Sequence, residues 1–206
     1  MSNSIADVKQ IIGEINRIHG EYSKDYFETG KVPKVNLSRT IAHVPASHIY
    51  IYRLNLHESI NDYLIRASIN IRYFYRVKTR ESIDAKIGIY KSRADQYPVN
   101  NWMNDIFGAR IILAAEVIGE ILEDIDGWQD EFCLKNWYLR DRDGYKGMHI
   151  YFKKRSNFYF PWELQVWDAK DIDGNIKSHE KHKRGFVYAG GDTQYPLRKE
   201  NNLELI

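Results

Sequence analysis

The chain has 206 residues, with 30 Lys and Arg against 28 Asp and Glu and a formal net charge of +2. Such a length supports one domain with a real core, or one domain with appended helices, and gives no reason for two independent folds. The near balance of charge excludes a general polyanion binder, so any nucleotide or nucleic-acid site must come from local clustering. Fifteen Tyr, eight Phe and five Trp supply core and also stacking surfaces for bases. The one cysteine, Cys133, cannot form an internal disulfide. No apolar run reaches the length of a signal or membrane segment, so a cytoplasmic protein with no membrane partner is expected.

Ser4 opens a helical pattern of Ile5, Val8, Ile11, Ile12, Ile15 and Ile18, with Asp7 placed to complete a capping box and Gly20 closing it. Residues 21–40 are polar, hold Gly30 and Pro33, and read as a loop that folds over a site or stays mobile. His48–Tyr52 is short and β-prone, and a second helix follows Asn55, with Ile60, Tyr63, Leu64, Ala67 and Ile71 on one stripe. A third helix runs from about Arg80 to Asp95, with Ile83, Ile87 and Tyr90 facing inward. Trp102–Leu113 reads as a turn of helix entering a buried strand, and Val117–Ile125 as a helix stopped by Gly127. From Phe132 the period becomes that of strands: Phe132–Leu139, a turn at Asp141–Gly144, Met148–Phe152, and Phe160–Trp167. Residues 171–185 are polar and rich in His and Lys.

Tyr75–Lys86 is the stretch with the densest chemistry. Ser82 and Lys86 are four apart and stand one above the other on a helix, while Arg76 and Lys78 lie just before it begins. Cations and a hydroxyl gathered at a helix N-terminus make a polyphosphate cradle; a solvated basic helix start is the plainer alternative. Alternation in the last strand sets Glu163, Gln165 and Trp167 on one face and Trp162, Leu164 and Val166 on the other. Asp105 and Glu163 both sit in apolar surroundings. A buried carboxylate is costly unless paired or bound to metal, so the two suggest a Mg²⁺ site beside the cradle, or else salt bridges, to Arg110 for instance. Tyr145 is either a base-stacking ring or a packed aromatic, and His149 is a polar side chain turned inward on a strand. His179-Glu180-Lys181-His182 lacks the spacing of a helical metal motif, and no glycine-rich phosphate loop occurs.

In this order the pieces resemble the synthetase domain of the RelA/SpoT family, the alarmone synthetases. The likeness rests on Arg76-x-Lys78-x-x-x-Ser82-x-x-x-Lys86, Asp105-x-x-Gly108-x-Arg110, Gly144-Tyr145-x-x-x-His149 and Trp162-Glu163-Leu164-Gln165, with His179-Glu180 a looser echo. It implies an α+β fold, with a central, mostly antiparallel five-stranded sheet flanked by helices, in a nucleotidyltransferase-like synthetase domain. On this reading 1–71 are N-terminal helices and loop packed on the core, 72–190 the synthetase core and 191–206 a tail.

The resemblance also implies roles. Arg76 and Arg110 would hold the adenine of ATP, and Lys78, Ser82 and Lys86 its phosphates. Asp105 and Glu163 would bind Mg²⁺, with Glu163 also able to activate the attacking hydroxyl and Gln165 beside it. Tyr145, His149 and Asp143 would face the acceptor. The family reaction moves the β,γ-pyrophosphate of ATP to a ribose 3′-hydroxyl. One departure stands out: Asp143 occupies a position that is usually Asn. The expected acceptor is a guanine nucleotide, GDP or GTP; next come the 3′-terminal adenosine of tRNA and an adenine nucleotide. The tRNA-modifying branch would be a toxin with an antitoxin partner, its basic segments, Lys177–Arg184 among them, tracking RNA. A catalytically silent RNA-binding relative is the rival from another class.

Overall fold

The computed structural model describes residues 4–30, 32–67, 69, 71–93 and 97–178. The chain begins with α1 (Ile5–Lys24), whose N-cap Ser4 and third residue Asp7 form the expected capping box. Gly20 does not end it. A Cβ there would run into the Lys154 side chain, so glycine marks a close approach and the helix continues. A π-turn over Asp25–Thr29 extends α1, because Tyr22, Tyr26 and Phe27 carry its buried stripe onward. The loop expected from residue 21 therefore starts only after Gly30. Residues 36–44 are pinned to the body by backbone bonds, including Leu37 N–H to Asn157 O (2.9 Å) and Asn100 N–H to Leu37 O (2.9 Å).

A second correction concerns His48–Tyr52, which lies within α2 (Ala46–Ile65) rather than in a strand. Buried Ile49, Tyr52, Leu56, Ile60 and Leu64 recur at helical spacing, while Ile51 is 54% exposed. The β-branched and aromatic content of five residues misleads where the longer period decides.

β1 (Phe74–Val77) leads through the cap residue Thr79 into α3 (Arg80–Ser92), which ends three residues before the expected Asp95. Next come the short α4 (Val99–Trp102), β2 (Phe107–Leu113) and α5 (Ala115–Asp124). A 3₁₀ turn and α6 (Trp128–Phe132) close that segment. Cys133 is not in a strand: it caps α6 with φ 59°, and β3 begins at Leu134. β3 (Leu134–Arg142) and β4 (Tyr145–Phe152) form a hairpin over Asp143-Gly144, and β5 (Trp162–Asp168) follows. Asp143 at φ 56° and Gly144 at φ 79° are the left-handed pair of a two-residue type I′ turn.

The sheet has the order β1-β2-β5-β4-β3 and is antiparallel except for the central β2–β5 pair. Its apolar face presents Phe107, Ile111, Leu164, Val166 and Ile150 to the core shared with α1. Trp162 stacks on Phe152 at 4.6 Å and donates its Nε1–H to Asn16 of α1 at 2.8 Å. The opposite face is polar, and the register aligns it in rows. Arg76, Gly108, Glu163 and Tyr151 form one row; Arg110, Gln165, His149 and Tyr138 form the next.

His19 of α1 is buried against Phe107 and its Nε2 meets Tyr52 Oη at 3.2 Å. Burial, with Lys154 adding to it, holds its imidazole down at about 3. An unfolded chain binds that proton near pH 6.5, so this contribution to stability is complete above pH 6.5 and is lost as the pH falls toward 3. Denaturant titrations should show His19→Gln losing about 2 kcal/mol less than wild type between pH 7 and pH 5.

Candidate functional site

Two carboxylates and a ring of cations gather at the β1–β2–β5 end of the polar face. Asp105 lies two residues before β2 and is 6% exposed. Its Oδ2 accepts from Lys78 Nζ at 2.6 Å and its Oδ1 from Lys86 Nζ at 2.9 Å, while Arg76 Nη2 approaches Oδ2 at 3.5 Å. The same Arg76 Nη2 lies 3.3 Å from Glu163 Oε2. One guanidinium thus bridges the two acids. The salt-bridge alternative holds for both carboxylates, although not through Arg110.

Local folding explains the convergence. β1 is an edge strand, and its last residues pair with the start of β2, which sets Arg76 beside Gly108 with no side chain between it and Glu163. Lys78 N–H then bonds Ile106 O at 2.8 Å, drawing the loop over Asp105. Thr79 Oγ1 accepts from Ser82 N–H at 3.3 Å, so α3 starts where its first turn faces the cluster and Lys86 reaches back to Asp105. Ser82 is half-buried in that turn and hydrogen-bonds Thr79.

Glu163 is fully occupied. Oε1 accepts from Tyr151 Oη and meets His149 Nδ1, both at 2.8 Å; Oε2 accepts from Gln165 Nε2 at 2.8 Å besides Arg76. Burial alone would raise its carboxyl. The hydrogen bond and field of His149, then Arg76 and Tyr151, outweigh burial and hold it well below the usual carboxylate range. Asp105 follows the same logic: burial raises it, and Lys86, Lys78 and Arg76 bring it below its ordinary value against the opposing charge of Glu163. Burial lowers Lys78, with Asp105 opposing and Lys86 and Arg76 adding to the fall. Tyr151 is pushed up by burial and by Glu163, which keeps its phenol a donor.

The second row joins this cluster through Gln165. Its Oε1 accepts from Arg110 Nε and Nη2 at 3.1 and 2.8 Å, and Arg110 lies 3.7 Å over the Trp167 ring. Burial brings the Arg110 guanidinium down to about 10, still charged at neutral pH. Tyr145, 5% exposed, meets His149 Nε2 at 2.9 Å and accepts from Trp167 Nε1 at 3.1 Å. Tyr138 stacks flat on His149, 5.0 Å apart at 3°.

The structure therefore brings together Arg76, Lys78, Lys86, Asp105, Glu163, Gln165, Arg110, His149 and Tyr145. Asp143 is not among them: it sits at the exposed hairpin tip, ion-paired to Arg142 at 3.2 Å. Its left-handed φ accounts for an Asp there without a ligand. His179 and Glu180 lie outside the described residues. Sequence reasoning missed Tyr151, Tyr138 and Arg53. Tyr151 stands two residues beyond His149 on one strand, so alternation alone places it on that face. Tyr138 and Arg53 join through strand register and helix packing, which no local pattern shows. Arg53 of α2 donates its Nε–H to Lys78 O at 3.0 Å. With Tyr75 Oη bonding Asn61 at 2.9 Å and Tyr50 bonding Asp84, α2 grips the cradle from behind.

The donor set suits magnesium better than a softer metal. Asp105 and Glu163 offer oxygens only, both turned to a point where a guanidinium already bridges them. Among the described residues no group of three or more His, Cys, Asp or Glu could hold a metal by itself, so a bound Mg²⁺ would depend on substrate phosphates for further ligands.

No family model matches the sequence, and a comparison with curated proteins finds no match. Solved structures do resemble it. Small alarmone synthetase 1 of Bacillus subtilis bound to its product pppGpp gives a TM-score of 0.36 at 16% identity, over 71% of this chain and 78% of that one. The same synthetase bound to AMPCPP gives 0.36 at 14%, over 72% and 78%. A GTP pyrophosphokinase family protein of Streptococcus pneumoniae gives 0.41 at 17%, over 72% and 76%. Among the described residues no helix is long and apolar enough to cross a membrane.

Three substitutions test this geometry. Arg53→Ala should speed hydrogen exchange at residues 76–80 about tenfold, the equivalent of one charge-assisted hydrogen bond, and leave β4 and β5 unchanged. At the hairpin, Asp143→Asn should change stability by less than about 0.5 kcal/mol, whereas Asp143→Ala should cost about 1–2 kcal/mol in thermal denaturation.

Proposed function

We propose that this chain is an ATP-dependent pyrophosphokinase of the RelA/SpoT synthetase type, moving the β,γ-pyrophosphate of ATP to the ribose 3′-hydroxyl of a guanine nucleotide. The observation that carries this reading is the joining of Arg76, Lys78 and Lys86 on Asp105, with Glu163 on the same guanidinium. Three cations, Arg76, Lys78 and Lys86, face two carboxylates, which leaves positive charge for a polyphosphate. A silent RNA-binding relative has no use for two buried acids in its phosphate cradle.

In the reaction the acceptor 3′-oxygen bonds to the β-phosphorus of ATP, the bond from that phosphorus to the α-phosphate's bridging oxygen breaks, and AMP leaves. Lys78 and Lys86 neutralise charge on the phosphates as it shifts toward the leaving group, and Arg76 and Arg110 fix the nucleotide through their planar guanidinium groups. Asp105 and Glu163 would hold Mg²⁺, which when bound adds charge neutralisation across the phosphates. Glu163, held ionised and saturated by donors, is a weak base. To orient the hydroxyl it would exchange one of those donors, Arg76, for the substrate, and it would take the hydroxyl proton late, as a loose phosphoryl-type transition state allows. Tyr145 and His149 present the acceptor side of the face. The guanine acceptor comes from the resemblance alone and is the part of the proposal that the assay decides.

The test is a transfer assay with γ-labelled ATP offered GDP, GTP, ADP and deacylated tRNA in parallel, with Mg²⁺ and then with chelator. Label should move to the guanine nucleotides, AMP should appear in equal amount, and chelator should abolish both. Glu163→Gln should lower the rate at least about a hundredfold while the melting transition stays cooperative. Transfer to tRNA instead would replace the acceptor, and no transfer to any acceptor would remove the proposal.

A further inference from the structure

Arg76 holds its place in the cluster differently from the two lysines. Its Nη2 alone meets both acids, Asp105 Oδ2 at 3.5 Å and Glu163 Oε2 at 3.3 Å. The lysine contacts are shorter, 2.6 Å from Lys78 and 2.9 Å from Lys86 to Asp105. The Arg76 side chain is also 43% exposed, whereas those of Asp105 and Glu163 are 9% and 3%.

Both acids stay partnered when this guanidinium leaves. Glu163 keeps His149 and Tyr151 on Oε1 and Gln165 on Oε2, and Asp105 keeps Lys78 on Oδ2 and Lys86 on Oδ1. Release therefore avoids the penalty of stranding a buried charge. The lysines are held more firmly: the Lys78 side chain is 8% exposed, and Lys86 is tied also to Trp102 O at 2.9 Å. Of the three cations, Arg76 is the one built to exchange.

What it exchanges for follows from the oxygens it joins. Mg²⁺ takes carboxylate oxygens at about 2.0–2.1 Å, so it cannot share the point between Asp105 Oδ2 and Glu163 Oε2 with a guanidinium. Three cations against two acids also leave the cluster positive, which repels a bare divalent cation. A polyphosphate relieves both obstacles, because it cancels the charge and offers the guanidinium a planar, two-point partner.

We propose that Arg76 is a stand-in for the divalent cation, withholding Asp105 and Glu163 from free metal until a polyphosphate draws the guanidinium away. This rests on the reading of the acid pair as a Mg²⁺ site. It adds that metal and nucleotide bind together, each favouring the other, as linkage requires. One ion pair is exchanged for another, and Lys78 and Lys86 keep their positions throughout.

Mn²⁺ binding in the absence of nucleotide, read from the loss of the free ion's paramagnetic resonance signal, tests it in wild type, Arg76→Ala, Lys86→Met and the double variant Arg76→Ala with Asp105→Asn. Arg76→Ala should bind Mn²⁺ at least about tenfold more tightly than wild type, as expected where the acid pair is free in a tenth of the molecules or fewer. Adding Asp105→Asn should remove that gain. Lys86→Met takes away a charge nearer to Asp105 but keeps the bridge, so its gain should be the smaller of the two. Arg76→Gln, neutral and still long, replaces Arg76→Ala should the latter fail to melt cooperatively. Equal affinity in wild type and the Arg76 variant, a gain that survives Asp105→Asn, or a gain from Lys86→Met as large as that from Arg76→Ala would each overturn the proposal. All of these are read without ATP or acceptor, so an inactive wild type in the transfer assay and a failed exchange at Arg76 are separate results.

Discussion

The molecule turns on the enclosure of two carboxylates by cations. Asp105 and Glu163 are 6% and 2% exposed, and burial to that degree is tolerated only where neighbouring charge and hydrogen bonds replace the lost water. Every element at this end of the sheet contributes to that replacement: β1 sends Arg76, the loop after it Lys78, α3 Lys86, β4 His149 and Tyr151. Three cations surround Asp105, and one of them, Arg76, is shared with Glu163. Fixed charge of this kind lowers a barrier because it need not reorganise when the reacting groups change charge.

Preorganisation has to come from outside the cluster, since like charges within it repel. The N-terminal part of the chain supplies it. α1 buries Val8, Ile11, Ile12, Ile15 and Ile18 and fixes the apolar side of the sheet through Asn16 and Trp162. α2 fixes the other partner, the β1–α3 corner, at Lys78 O, Tyr75 and Asp84. Lysine and arginine side chains are long and flexible, and holding their backbones is what makes their ends converge. The helices before the polar face are thus part of the site's rigidity, with Arg53 reaching the backbone of Lys78.

Much of this was legible in the sequence, for reasons that differ by residue. The strand period carried Glu163 and Gln165 to one face, and the i,i+4 spacing put Ser82 and Lys86 on one side of α3. Asp105 stood out because acids are rare in apolar runs. Where the sequence misled, the deciding term was not local. His48–Tyr52 has strand-like residues, yet a helix forms because Ile49, Tyr52 and Leu56 meet a core made by distant segments. Gly20 looked like a stop and is a contact surface for Lys154, 134 positions away. Tyr138 beside His149 follows from hairpin register, which the Asp143-Gly144 turn fixes but which only the assembled sheet reveals.

The hairpin also settles how to weigh Asp143. As a departure from the usual Asn it sets a carboxylate, which cannot donate, where an amide could. Its backbone shows another demand at the same position. A type I′ turn needs two residues at positive φ, and Asp and Asn are the side-chain-bearing residues that tolerate it best. An Asp here meets the turn's requirement as an Asn would, and its carboxylate is paired with Arg142 rather than turned to the cluster. Tyr145 and His149 lie on the face itself, joined to Trp167 and Glu163 through a continuous chain of hydrogen bonds.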